Sequence, residues 1–251
     1  MRTPLAKLSY ALALRREGLS FSSQLARRLG LDVRPRFCGV LLGAPDATTA
    51  WTVALQIAKD DYRWPGLTPE PGWRVVDVGA NIGAFSLWAE RLGADVVAFE
   101  PEPKTFAALV ANVAGRHVSP RQAALVGESV PAVRLYLSGV RSTRHTLLAR
   151  EIESGAPLGG EFVDVPTVTV ADVVGEGCDL LKLDCEGAEF DALLHAEDET
   201  LRRAQRLVVE YHRIGGEPEQ IVDRLEAAGL DVEILWTSEA VGAIGARLPS
   251  A

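Results

Sequence analysis

Two apolar runs in this 251-residue sequence end in groups able to move a proton or hold a cation. The first is LKLDCEGAE, residues 181–189, with Asp184, Glu186 and Glu189; the second is VVEYH, residues 208–212, with Glu210 and His212. A carboxylate or imidazole within hydrogen-bond reach of a hydroxyl can take its proton while the oxygen attacks an electrophile. Asp184, as base or as orienter, is the first candidate, followed by Glu186 and His212. A second use of Glu186 and Glu189 is to cap the helix that follows Gly187, where the N-terminal dipole favours negative charge, and for Glu189 this is the expected role. Asp184, Glu210 and His212 could also converge on a divalent cation that acidifies a bound hydroxyl. Because whole elements separate them, a metal-free base is the default and the cation an open alternative. His145, in SGVRSTRHTLL, is a further candidate: a loop imidazole with an ordinary pKa of ~6.5 can serve as base or bind an acceptor, or simply be solvated. Arg141 and Arg144 flank it and could clamp a carboxylate or phosphate, with a solvated pair as the alternative.

A second stretch, VVDVGANIGAFSLW at 75–88, brings Asp77 to the end of a strand and brackets a turn with Gly79 and Gly83. Without a Cβ, such a turn lets backbone N–H groups and a helix start approach a ligand. Alone the pattern is weak, but Glu100 closes the next strand 100 − 79 = 21 residues after the first glycine. That is near the ~20 at which an acid accepts hydrogen bonds from ribose hydroxyls. The turn lacks the G-x-G-x-x-G on which a pyrophosphate rests, while Asn81 and Asp77 suit a cationic, amino-acid-like end. S-adenosylmethionine has that shape.

These groups need a scaffold that brings distant strand ends together. From residue 73 the sequence alternates strand and helix: WRVVDVG, helix from Phe85 to Leu92, DVVAFE, helix PKTFAALVANV, VSPRQAALV, then DLLKLDCE, helix AEFDALLHA, RLVVEYH, helix EPEQIVDRLEAAG and a last strand DVEILWT. Alternation of this kind predicts an α/β fold, a parallel sheet covered on both faces. Residues of about 130–170 interrupt it as an inserted hairpin with a long loop, on the acceptor side. Before it, apolar residues at helical spacing predict two short amphipathic helices over 4–30, a cap or a homo-oligomer contact. The turn-rich WPGLTPEPG at 64–72 sets the expected boundary between an N-terminal extension, 1–63, and a main domain, 64–251.

Composition narrows the partners. The formal net charge is −8, which disfavours nucleic acid and anionic lipid. Three cysteines, Cys38, Cys178 and Cys185, are too scattered for a disulfide framework or a metal knuckle. With a short N-terminal apolar run lacking a cleavage site, they predict a cytoplasmic protein. No apolar run approaches the ~20 residues of a membrane span.

VVDVGANIGAFSLWA, VVAFEPEPKTFAALVANV and DLLKLDCEGAEFDALL together resemble the three signature blocks of the FkbM family of S-adenosylmethionine-dependent methyltransferases, over roughly residues 60–235. The resemblance implies a Rossmann-like class I methyltransferase fold, a mostly parallel seven-stranded sheet with helices on both faces plus the N-terminal helical extension. It places Asp77, Gly79, Ala80, Asn81 and Gly83 at the methionine end of the cofactor, Glu100 at the ribose with Pro101 in the same set, and Ala123 and Ala124 near the adenine. The implied activity is O-methylation of a hydroxyl on a small natural product or sugar. A macromolecular acceptor (glycolipid, polysaccharide or protein) and a non-catalytic cofactor-binding module are the alternatives.

Overall fold

The computed structural model describes residues 18–28, 33–45, 47–58, 62, 64–138 and 158–249. The N-terminal part contains helix α1 (Phe21–Arg28), a small hairpin of β1 (Arg36–Phe37) and β2 (Val40–Leu41), and helix α2 (Ala47–Ala58). The second of the two expected helices is α1; the first lies outside the described residues. There follow β3 (Arg74–Val78), α3 (Ala84–Arg91), β4 (Asp95–Phe99), α4 (Pro103–Asn112) and β5 (Val118–Arg121). After them come β6 (Ala124–Leu125), β7 (Ala132–Ser138), β8 (Leu158–Val168), α5 (Val170–Val174), β9 (Leu180–Leu183), α6 (Ala188–His195) and α7 (Asp198–Arg202). The chain closes with β10 (Arg206–His212), α8 (Pro218–Ala227), β11 (Asp231–Thr237) and β12 (Val241–Arg247).

Seven strands form one sheet in the order β11-β12-β10-β9-β3-β4-β5. Every contact from β10 to β5 is parallel, while β12 runs antiparallel to both β10 and β11. The fold is thus the Rossmann-like α/β architecture expected. Strands β3 and β9 are nearly continuous buried runs, as a sheet covered on both faces requires.

Two strand assignments differ from the sequence reading. VSPRQAALV is divided: β5 pairs with β4, whereas β6 leaves the large sheet and pairs with β8 in a three-stranded sheet ordered β6-β8-β7. Ala124 and Leu125 lie buried there. The β7–β8 pair is the expected inserted hairpin, with Ala132 opposite Pro166 and Tyr136 opposite Phe162. The other difference is β12, absent from the sequence reading because its glycines weaken strand propensity. Gly242 is there for close packing: a Cβ would lie 2.2 Å from the Tyr211 hydroxyl oxygen.

Each face of the sheet has its own core. On one, Val76, Val78, Leu181, Leu183 and Val209 pack with Phe190, Ile221 and Leu225 of α6 and α8. On the other, Val75, Leu180 and Val208 share a cluster with Leu87 and Trp88 of α3 and with Leu19, Phe37, Leu42, Ala54, Ile57 and Tyr62. The N-terminal segment is therefore part of the wall that covers the sheet. Asn112, at the end of α4, fastens it: its Nδ2 donates to Gly43 O and Ile82 O, both at 2.8 Å, and its Oδ1 accepts from Gly43 N at 2.7 Å.

Replacing a buried amide that serves backbone groups leaves them unsatisfied, at a cost of ~1–3 kcal/mol. Asn112→Ala is expected to lower the unfolding free energy by that amount in urea denaturation. A change below about 0.5 kcal/mol, the scale of an ordinary surface substitution, would show that the amide does not fasten the segment.

Candidate active site

The chain runs outward from β3 to β5 on one side and returns to β9 on the other, so β3 and β9 are neighbours at a topological switch point. Their carboxyl ends are where an open α/β sheet binds ligands. The GANIG turn leaves β3 there. Gly79 has φ 76°, and a Cβ on it would stand 1.7 Å from the carbonyl oxygen of Asp184, so the two strand ends approach as closely as only glycine allows.

A cleft opens beside this turn, lined by Gly79, Asn81, Glu100, Pro101, Ala123, Ala124, Asp184 and Glu186, among others. Glu100 forms its polar end. Its Oε2 accepts from Asn81 N and its Oε1 from Glu102 N, each at 2.9 Å. Burial pushes its carboxyl up to about 7, against the pull of those backbone donors.

Asp77, Ala80 and Gly83 stand apart from the other residues of the expected cofactor set, Ala80 lining a neighbouring chamber and not the cleft. Asp77 is fully buried beneath the turn, its Oδ2 accepting from Ser86 Oγ at 2.6 Å and its Oδ1 3.1 Å from Lys182 Nζ. It supports the turn from below and does not line the cleft. Gly83 stands at the N-terminus of α3, facing Leu109 and Val113 of the neighbouring helix region.

A second chamber of about 640 Å³ adjoins the cleft. Gln56, Tyr62, Ala80, Phe85, Lys182, Glu210 and His212 contribute to its wall, and Gly79, Asn81, Asp184 and Glu186 line both chambers. Asp184 and Glu186 therefore stand at the junction. Asp184, Glu210 and His212, drawn from the ends of β9 and β10, each offer one ligand atom within 4.8 Å of the others. His145, Arg141 and Arg144 lie outside the described residues.

Charge in this chamber is strongly coupled. Burial alone would drive Lys182 towards neutrality, but Asp77, Asp184 and Glu210 outweigh it and hold the ammonium well above the ordinary lysine value. His212 follows the same balance: burial acts against its charge, Glu189, Glu186 and Asp184 overcome it, and the imidazole rises to about 10. Burial raises Glu186 to about 8 despite His212, and Glu210 to about 7, helped by Asp184.

Glu189 does more than cap α6. Its Oε2 accepts from Gly187 N at 2.8 Å, which is the expected cap. Its Oε1 accepts from His212 N at 2.8 Å and pairs with His212 Nδ1 at 2.9 Å. The imidazole is thereby turned so that Nε2 lies 3.4 Å from Glu186 Oε2.

Lys182, Tyr62 and Gln56 are site residues absent from the sequence reading. Tyr62 donates its hydroxyl to Glu210 Oε2 at 2.7 Å, and Gln56 Nε2 lies 3.4 Å from the same oxygen. Lys182 did leave a signal, as a charge in the middle of a buried apolar strand; Tyr62 and Gln56 left none.

The pattern that defines the Methyltransferase FkbM domain matches residues 77–232. The chain is 34% identical over 201 residues to 31-O-demethyl-FK506 methyltransferase FkbM of Streptomyces tacrolimicus, covering 68% of this chain and 77% of that one. It is 30% identical over 208 residues to methyltransferase sdnD of Sordaria araneosa, covering 69% and 80%. With methyltransferase 1 of Beauveria bassiana it shares 29% over 181 residues, covering 64% and 73%.

The raised Glu100 carboxyl has a consequence for stability. Its folded value, about 7, lies above the ordinary 4.5. The group's contribution to stability is therefore whole below 4.5 and is lost as pH rises towards 7. Glu100→Gln cannot ionise, so from pH 4.5 to pH 8 the unfolding free energy of the variant should gain on the wild type by up to roughly 3 kcal/mol. Parallel pH profiles in urea denaturation would mean that Glu100 carries no such burden.

Proposed function

The chain belongs to the FkbM family of S-adenosylmethionine-dependent methyltransferases, and from that premise we propose that it methylates a hydroxyl oxygen of a small natural product or sugar. The cleft residues fit the cofactor. Glu100 offers a buried carboxylate for ribose hydroxyls, Gly79 and Asn81 line the cleft where the methionine end would lie, and Ala123 and Ala124 leave room for a flat base. S-adenosylmethionine, when bound, supplies a methyl group on a sulfonium that needs no further activation.

The work left to the protein is orientation and proton removal. The observation that carries the reading is the position of Asp184, which lines both the cofactor cleft and the larger chamber. An acceptor hydroxyl at the junction would hydrogen-bond to the Asp184 carboxylate, which would orient the oxygen and take its proton; the cofactor would supply the methyl group, its C–S bond breaking to leave S-adenosylhomocysteine. Lys182 lies 3.4 Å from Asp184 Oδ2 and holds that carboxylate in place. Tyr62, Phe85 and Gln56 line the chamber and not the cleft. A chamber of about 640 Å³ is in the range of small-molecule sites, ~300–1,000 Å³. A relative's name, 31-O-demethyl-FK506 methyltransferase, likewise puts the methyl group on an oxygen of a small molecule.

The test combines binding with turnover. Methyl-labelled S-adenosylmethionine is incubated with the protein and a cell extract split into small-molecule and macromolecular fractions. The expected product is a labelled small molecule with a methoxyl resonance; label on macromolecules, nitrogen or carbon would overturn the assignment. In Asp184→Asn, S-adenosylhomocysteine affinity should stay within about threefold while turnover drops ~10²–10⁴-fold, the range for loss of a positioned proton acceptor. Near-normal turnover would remove Asp184 from the reaction, and a folded wild type that binds no S-adenosylmethionine would remove the cofactor.

A further inference from the structure

We propose that the larger chamber holds a divalent cation, bound by the carboxylates of Asp184 and Glu210 and by Nε2 of His212. The three come from two adjacent strand ends, and one ligand atom from each lies within 4.8 Å of the others. Metal–oxygen bonds of ~2.1 Å allow two ligand atoms on one cation to be at most about 4.2 Å apart. The observed spread of up to 4.8 Å exceeds that by about 0.6 Å, a gap that rotation of the side chains would close on binding.

The surroundings of the ligands are those of a metal site. A ligating histidine characteristically donates its other ring nitrogen to a carboxylate that fixes tautomer and orientation. Here Glu189, fully buried, receives the Nδ1 hydrogen of His212 at 2.9 Å and its backbone N–H at 2.8 Å, which turns Nε2 to the chamber, where Glu186 Oε2 stands 3.4 Å away. Glu210 is held in the same manner: its Oε2 accepts from Tyr62 at 2.7 Å, and a carboxylate has a second oxygen to give.

The charges point the same way. Asp184, Glu186 and Glu210 line the chamber, with Asp77 and Glu189 fully buried behind its wall. Lys182, the ammonium among them, is divided between Asp77 at 3.1 Å and Asp184 at 3.4 Å. These five acidic groups outnumber Lys182 and His212, the two basic ones paired with them, in a partly dry space where an unbalanced charge is costly. A divalent cation removes that excess.

One imidazole nitrogen with two carboxylate oxygens suits a first-row divalent ion such as Mn²⁺ better than Ca²⁺, which takes six to eight oxygens. The remaining coordination positions would face the chamber. There, and for this point the inference rests on the methyl-transfer reading, an acceptor hydroxyl can bind the cation and become more acidic. One Asp184 oxygen would then hold the cation while the other takes the hydroxyl proton.

The experiment uses the full-length protein, stripped with chelator and free of acceptor, titrated with Mn²⁺ while the signal of the free ion is followed by electron paramagnetic resonance. S-adenosylhomocysteine binding is measured separately on the same samples by calorimetry. The wild type should remove one equivalent of Mn²⁺ from the free pool at micromolar to submillimolar concentration. Asp184→Asn and Glu210→Gln should each weaken Mn²⁺ binding by about tenfold or more, with S-adenosylhomocysteine affinity within about threefold and unchanged circular dichroism. Glu210→Gln keeps an acceptor for Tyr62, and Asp184 is partly exposed, so the two variants stress the fold in different places. No stoichiometric Mn²⁺ binding by the wild type, or equal binding by wild type and both variants, would overturn the site. Because cofactor binding is read without metal, loss of S-adenosylhomocysteine binding by the wild type would count against the methyltransferase reading and not against the cation.

Discussion

The buried ammonium of Lys182 is the contact on which both chambers depend. It donates to Gly79 O at 3.2 Å and pairs with Asp77 at 3.1 Å and Asp184 at 3.4 Å. One side chain thus ties the glycine turn after β3 to the carboxylate at the end of β9. A buried pair of this kind contributes modest net stability, but removing one partner strands a charge at a cost of ~3–5 kcal/mol. Its value is geometric. Asp77 fixes the ammonium from below, with Ser86 fixing Asp77, and the ammonium then sets where Asp184 stands relative to the turn.

From that anchor the site divides by polarity. The cleft by Glu100 is polar at one end and otherwise lined largely by small or apolar residues such as Ala123, Ala124 and Leu135. The chamber beyond Asp184 gathers charge, and its groups hold one another: Glu189 orients His212, Tyr62 orients Glu210, and burial lifts the carboxyls of Glu186 and Glu210. Shifts of several groups within one cavity mark a place organised for proton or cation chemistry. The Glu100 cleft, apart from Glu186, which it shares with the chamber, has one raised carboxyl, that of Glu100, fixed by two backbone donors.

What could be read in the sequence was what is local. The GANIG turn, the strand ending at Glu100 and the acids after β9 each occupy a short stretch, and alternation of strand and helix was enough to make the sheet parallel. The burial of Asp77 was not legible, because the side chain that satisfies it is Lys182, in another strand. The second task of Glu189 depends on His212, 23 residues on. Tyr62 reaches Glu210 across 148 residues. The two strand differences have the same origin: β6 is drawn from β5 by its partner β8, and β12 forms despite its glycines because Tyr211 needs the space that a Cβ would fill.

The wall of the larger chamber has a mixed origin. The match to the FkbM domain begins at residue 77, yet Gln56 and Tyr62 precede it and contact Glu210 within it. Asn112, inside the matched region, holds Gly43, outside it, and Ile82 of the glycine turn with one amide. A segment that covers the sheet thus also forms part of the wall of the larger chamber. Changes in Gln56 or Tyr62 alter the shape presented to an acceptor without touching Glu100, Asn81 or the Gly79 turn. The two chambers thus draw on different stretches of the chain, and Asn112, which holds Gly43 and Ile82 together, ties those stretches to each other.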